Sequence, residues 1–440
     1  MEPRPLALAF WLALLGAAVL AGPTRAQEPP RDAGPRVSPT PGQLLTLTEA
    51  IDLALRQHPT LRLGQESRTA ATARVPQAQS AYYPKFDLLA AAGRSQVFSS
   101  STKQAVQSNS IAPTLQGRQL LSDFGKTDAL VDEARANVRV ADAELERLRE
   151  VVVLNVRQAY YTLLQNRRFV RVAEASLARS ELNLRSARGF FEVGTKPKSD
   201  VTKAEVEVAN ARVAVIRARN AVRLAEVSLA NAIGLETTVP FEVEDILDYE
   251  PVRLELGALL AEGLANRPEL AQARARLEAA RAQLAGARAG YRPDLAVTGI
   301  VGTTSIEEPP TREVWSIALT LSWNLFQGFF TTNKMRETTA LLEVARANYD
   351  TFELQVRLEV EQAYIGVVEA AERIGATEKA VESAQENLRL AQGRYDAGVG
   401  TILDLTDAQL ALTNAEADQV RALTDHKLAL ASLDRFVGRP

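Results

Sequence analysis

No cysteine occurs in the 440 residues. That absence removes disulfides, thiolate metal sites, thiol catalysis and a lipid anchor on an N-terminal cysteine at once. Imidazole is nearly as scarce. Only His58 and His426 could supply it; nothing pairs them, and each reads as a helix-surface or capping residue. Charge of one sign is lacking too: the net charge of -3 offers no basic surface, so no nucleic-acid partner is expected. No nucleophile–base pair, metal-ligand cluster or phosphate-binding loop is found, so the chain reads as a non-enzyme without cofactor or metal. Beyond the first 26 residues no apolar run is long enough for a transmembrane helix. Finally, residues 126–188 contain neither glycine nor proline, so nothing there interrupts a helix.

What is present begins with an export signal. Arg4 precedes the apolar stretch "LALAFWLALLGAAVLA", and "TRA" ends on the small residue Ala26. Residues 1–26 are therefore expected to be a signal peptide. Residues 27–43, with Pro29, Pro30, Pro35, Pro39 and Pro41, are expected to form an extended tether. An exported chain of this kind is periplasmic, secreted or in an outer membrane.

The remainder is written twice. "LTEAIDLALRQHPTL" (47–61) recurs as "LGALLAEGLANRPEL" (256–270), and "AYYPKFDLLA" (81–90) as "AGYRPDLAV" (289–297). "LLSDFG" (120–125) recurs as "WNLFQG" (323–328), and "FEVGTKPKSD" (191–200) as "YDAGVGTILD" (395–404). A repeat of this size marks a duplicated structural unit. The expected units are 44–233 and 257–440, with a connector at 234–256. Each copy reads as a helix, two extended segments, a very long helix, a turn and another helix. In the first long helix Leu130, Ala134, Val138, Ala141, Leu145, Leu148, Val152, Val156, Ala159 and Leu163 recur in steps of three and four, one amphipathic stripe. The shorter helices, about 60–82 and 199–233, then 268–290 and 402–437, are expected to stack end to end beside the long ones at 126–188 and 333–393.

The extended segments carry the functional signal. Over 315–325, Trp315, Ile317, Leu319, Leu321, Trp323 and Leu325 alternate with Ser316, Ala318, Thr320, Ser322 and Asn324. This is the period of a strand with one oily and one wet face. Trp315 and Trp323 are eight residues apart, roughly 26 Å, close to the height of an outer-membrane apolar band with aromatic girdles. Weaker alternation places further strands at 85–98, 110–121 and 294–303, joined by polar loops at 99–109 and 304–313. Four strands cannot close a barrel, and open edges cannot face lipid. The strands must be completed by other copies of the chain.

This arrangement resembles the TolC-like outer-membrane efflux protein family. The resemblance covers residues 44 to 438 and rests on the tandem repeat, on "SDFGK" and "NLFQG" closing the strand pairs, and on the turns "FEVGTKPKSD" and "YDAGVGTILDLTDA". It implies a mainly helical mixed α and β protein. Three protomers would form a 12-stranded transmembrane β-barrel, a long α-helical barrel in the periplasm and a mixed equatorial belt near 234–256. It implies a passive exit duct for an inner-membrane pump reached through a periplasmic adaptor, with type I polypeptide secretion and, further off, a periplasmic adaptor as alternatives. The turns Val193, Gly194, Thr195 and Ala397, Gly398, Val399 would be hairpin tips that meet the adaptor. Asp404 and Asp407, at i and i+3 on one helix face, match aspartates that ring the channel's inner mouth. Asp200 and Tyr395 match positions that link neighbouring coils in the closed state. The family's linking arginine falls at Gly400 here, so that link is either absent or replaced, and Lys198 and Lys203 are the candidates to replace it.

Overall fold

The computed structural model describes residues 44–99, 101, 103–235, 242–304 and 312–439. The expected signal peptide, the tether and most of the 304–313 loop lie outside them. No helix among the described residues is long and apolar enough to cross a membrane.

Two long helices dominate, α3 (Lys126–Glu192) and α7 (Phe330–Asp396), each of 67 residues and so about 100 Å long at 1.5 Å per residue. The shorter helices come in pairs. Helices α1 (Leu47–Gln57) and α2 (Pro59–Gln79) part at His58, and α5 (Leu256–Asn266) and α6 (Pro268–Ala289) part at Arg267. In both cases a proline at the first helical position starts the second helix because it needs no hydrogen-bonding N–H there. The His58 Nδ1 accepts from the Thr60 N–H at 3.2 Å, a capping role. Helices α4 (Lys198–Ile233) and α8 (Ile402–Val437) return from the far end. Helices α2 and α4 pack on α3, as the stacked arrangement requires, but α6 and α8 each touch both α3 and α7. The second pair of short helices is therefore wedged between the two long ones.

The duplication extends to the cores. Val152, Val156 and Leu163 of α3 are buried with Leu229 and Ile233 of α4. Val356, Val360, Val367, Leu433 and Val437 stand 204 residues later and are buried in the same way. Apolar burial of this kind holds the helices side by side without fixing any direction of contact. Against the first core lie β1 (Leu44–Leu45) and β4 (Glu242–Val243), paired in parallel, and the Tyr160 hydroxyl sits 3.0 Å from the Leu45 carbonyl and 3.1 Å from that of Glu244. His426 is buried edge-on against the Tyr249 ring.

Strands β2 (Lys85–Ser99), β3 (Gln104–Ser122), β5 (Asp294–Thr304) and β6 (Arg312–Ser322) make one antiparallel sheet in the order β2-β3-β5-β6. Leu88 stands opposite Leu115, Leu115 opposite Val301 and Val301 opposite Trp315. Phe86, Leu88, Ile111, Ile317, Leu319 and Leu321 lie on that same face, all exposed in the protomer. Two boundaries differ from the sequence reading. The first hairpin is longer than expected, pairing out to Ser99 and Gln104. Strand β6 stops at Ser322, so Trp323 and Leu325 lie outside it. The partner segment explains this: Asp294 is the last residue of β5 to pair, and Pro293 before it has no N–H to give. Trp323 instead donates its indole N–H to the Tyr291 carbonyl at 3.0 Å.

Candidate functional site

The two turns that reverse the long helices have the same geometry. After α3, Val193 closes the helix and Gly194 takes a φ of 74°. The N–H groups of Gly194 and Thr195 donate to the carbonyls of Phe191 and Phe190, both at 2.9 Å. After α7, Ala397 closes the helix and Gly398 takes a φ of 80°. Gly398 and Val399 donate to Tyr395 and Arg394 at 3.1 and 3.0 Å. Left-handed backbone of this kind strongly favours glycine, so the repeated Val-Gly-Thr and Ala-Gly-Val serve one purpose. Val193 and Val399 project at 72% and 73% exposure.

The turns also touch each other. Lys196 of the first donates its ammonium to the Gly400 carbonyl of the second at 3.0 Å and lies 4.9 Å from the Tyr395 ring centroid. Phe190 meets the same ring edge-on at 5.7 Å. Tyr395 is fully buried, and its hydroxyl has no hydrogen-bond partner among the described residues. Burial, and after it the nearby Asp200 charge, pushes its phenol pKa up. Asp200 is itself buried. Gly400 shows why no arginine stands there. A Cβ on it would lie 2.9 Å from the Tyr395 nitrogen and 3.0 Å from the Arg394 carbonyl carbon, closer than packed atoms tolerate. Within one protomer the lysine that reaches Gly400 from the other turn is Lys196, while Lys198 and Lys203 are exposed and form no ion pair among the described residues. The sequence already held a hint, since Lys196 and Gly400 are themselves repeat-equivalent positions.

Asp404 and Asp407 lie exposed in the first two turns of α8. They are not alike. Asp404 closes a capping box: its carboxylate accepts from the Thr401 N–H at 3.2 Å while its own N–H donates to the Thr401 hydroxyl at 3.1 Å. The Thr401 side-chain bond is the main reason its carboxyl is held below the usual range. Asp407 has no such partner among the described residues. One and a half turns above Asp404 is a feature that sequence reading missed. Gln409 is buried against α3, where its amide accepts from Asn183 at 2.7 Å and donates to the Ser180 hydroxyl at 2.8 Å and the Ser176 carbonyl at 3.1 Å. Arg179 and Glu416 continue the seam with a two-point ion pair at 2.8 and 3.1 Å.

The profile of the outer membrane efflux protein family matches residues 50–235 and 259–439, both copies of the repeat. The chain belongs to the outer membrane efflux protein family. Protein CyaE of Bordetella pertussis is 29% identical across 98% of this chain and 92% of its own length. Outer membrane protein TolC of Escherichia coli K12 is 24% identical across 90% and 83%. The outer-membrane channel OprN superposes with a TM-score of 0.80 at 22% identity, covering 90% of each chain, which establishes the shared fold.

This efflux channel is an outer-membrane protein with a long periplasmic helical part, and not an enzyme. The apolar face of its sheet is exposed in the protomer. Trp315 lies within β6 and Trp323 just past its end, 64% and 57% exposed.

Proposed function

We propose that this efflux channel works as a trimer whose three four-stranded sheets close into a 12-stranded barrel and whose helices close into a tube. The trimer would pass cargo from an inner-membrane pump, through a periplasmic adaptor seated on the hairpin tips, to the exterior. TolC-like channels are homotrimers that act with adaptors and inner-membrane pumps. The observation that carries the reading is the open sheet. Its edges β2 and β6 are unpaired among the described residues, yet unpaired backbone cannot face lipid. The helical wall is open in the same way: Ile216 and Leu224 on α4 and Leu354 and Ile365 on α7 are more than 60% exposed, as expected of faces that meet a neighbour.

At the tips, Asp404 and Asp407 of three protomers would bring six carboxylates to a narrow mouth. Like charges held close resist full ionisation and attract cations, so this mouth would favour cations and be plugged by polyvalent ones. Lys196 would hold the two turns of each protomer together, leaving Lys198 and Lys203 free for contacts between protomers. The segment 234–256 would belong to an equatorial belt. Light scattering of the detergent-solubilised mature chain tests the assembly: a mass of three protomers supports it, and a stable folded monomer would end it. Cross-linking from Val193 and Val399 in cells, followed by identification of what is captured, tests the adaptor contact.

A further inference from the structure

The coil of α8 on its neighbours is built mostly from Leu405, Ala408, Leu412 and Ala422, all buried. Small and aliphatic side chains such as these pack without direction, so a helix lined by them turns about its own axis at little cost. Hydrogen bonds do not allow that, because they weaken steeply off angle. Gln409 is the one amide in this stripe near the mouth. Both its carbonyl and its NH2 group are engaged, and every partner (Asn183, Ser180 and Ser176) belongs to α3. Thr413, one turn up, adds a bond to the Ser176 hydroxyl at 3.3 Å. At 100° per residue, Asp404 and Asp407 lie about 140° and about 160° around α8 from Gln409. The bonded face and the acidic face are nearly opposite.

We propose that Gln409 is the positioning residue of the acidic mouth. By bonding across the seam to α3 it sets the rotation of α8, and so the direction in which Asp404 and Asp407 point. The proposal rests on the reading of those two aspartates given above. Gln409 itself touches no cargo. Its role is to hold the carboxylates away from α3, toward the axis. Asn183 and Ser180 are equally part of the device, since an amide with no partner in that seam would be left buried and unsatisfied.

The test uses the full trimer in planar bilayers with lanthanum ion added on the side of the tips, reading the concentration that halves the current. Gln409→Leu keeps the volume and both aspartates but removes the bonds. It is expected to raise the half-blocking concentration about tenfold, with the heat-resistant trimer unchanged on gels. The exchanged pair Asn183→Gln with Gln409→Asn restores an amide–amide bond and is expected to return block to within about threefold of the parent. Rescue of that kind separates rotation of α8 from a loss of packing. If block disappears in Asp404→Ala/Asp407→Ala but is untouched in Gln409→Leu, the positioning role is overturned and the acidic mouth stands. If block survives the double aspartate change, both are overturned. Should Gln409→Leu not assemble, Ser180→Ala and Asn183→Ala each remove one partner and carry the same readout, and unchanged block in both overturns the proposal.

Discussion

Leu319 offers the sharpest test of the membrane face. It lies on β6 between Ile317 and Leu321, opposite Val297 of β5, and is 66% exposed in the protomer. Replacing it with arginine puts a charge into hydrocarbon, at about 2–4 kcal/mol near the midplane. A trimer carries the change three times at one level of the barrel, so the assembly loses about 6–12 kcal/mol, as much as the whole stability of many domains. The next residue, Thr320, pairs with Ala296 and points to the other face. Thr320→Arg should therefore cost little and act on conductance instead. The assay is the yield of heat-resistant trimer in the outer-membrane fraction, with urea unfolding from lipid vesicles for the free energy. Leu319→Arg should be nearly absent and Thr320→Arg close to the parent. Equal loss in both, or in neither, would show that the sheet does not present this face to lipid.

Lys196→Met removes both the Gly400 bond and the contact with the Tyr395 ring and should raise the resting single-channel conductance. Tyr395→Phe should leave conductance unchanged, because the lost hydroxyl has no partner among the described residues, and an increase matching that of Lys196→Met would show the phenol to be part of the clamp. Asp404→Ala should lower the melting temperature above the carboxylate range and make no difference well below it, since its depressed pKa lends stability only while it is ionised. Asp404→Glu keeps the capping box and should melt like the parent, while Asp407→Ala should change block without changing melting. Burial, reinforced by Glu269 and only partly offset by Arg267 and Arg435, pushes the Glu150 carboxyl from 4.5 up to about 7. The folded channel thus keeps a proton that the unfolded chain releases, and stability falls as pH rises from about 4.5 to about 7. The full shift is worth about 3.4 kcal/mol, and water around this half-buried group cuts it to about 1–2. Glu150→Gln should melt higher above pH 7 and match the parent below pH 4.5, and parallel profiles would remove Glu150 as the cause.

The first long helix was legible because residues 126–188, without glycine or proline, leave a chain little alternative, and the second because it repeats the first. The turns were legible because they were written twice. The outer end of the first hairpin was not. Residues 104–110 of β3 read Gln-Ala-Val-Gln-Ser-Asn-Ser, with no oily face to alternate against, although the backbone pairs to Ser99. Alternation falls silent where the sequence has no apolar set to alternate. At β6 the opposite happened: the alternation runs on through Leu325, but the ladder ends where its partner strand ends. Membership of a strand depends on what lies alongside, and that is not written in the strand. Lys196 and Gln409 escaped for the same reason. Each acts on a residue more than 200 positions away, and neither forms a local pattern.

The equal lengths of the two halves have a mechanical consequence. Helices α3 and α7 each have 67 residues, and α4 and α8 each have 36. Both hairpins spring from the same sheet, so equal length brings both tips to one level, and the six tips of the proposed trimer would make a flat rim. Such a rim has a tolerance. An insertion of four residues in both α3 and α4, but not in α7 and α8, would lower one tip of each pair by about 6 Å and leave a notched edge on which a partner could sit at only three points. The same insertion made in α3, α4, α7 and α8 together would lengthen the tube and keep the rim level. Length in this protein is thus a shared dimension, free to drift only in all four helices at once.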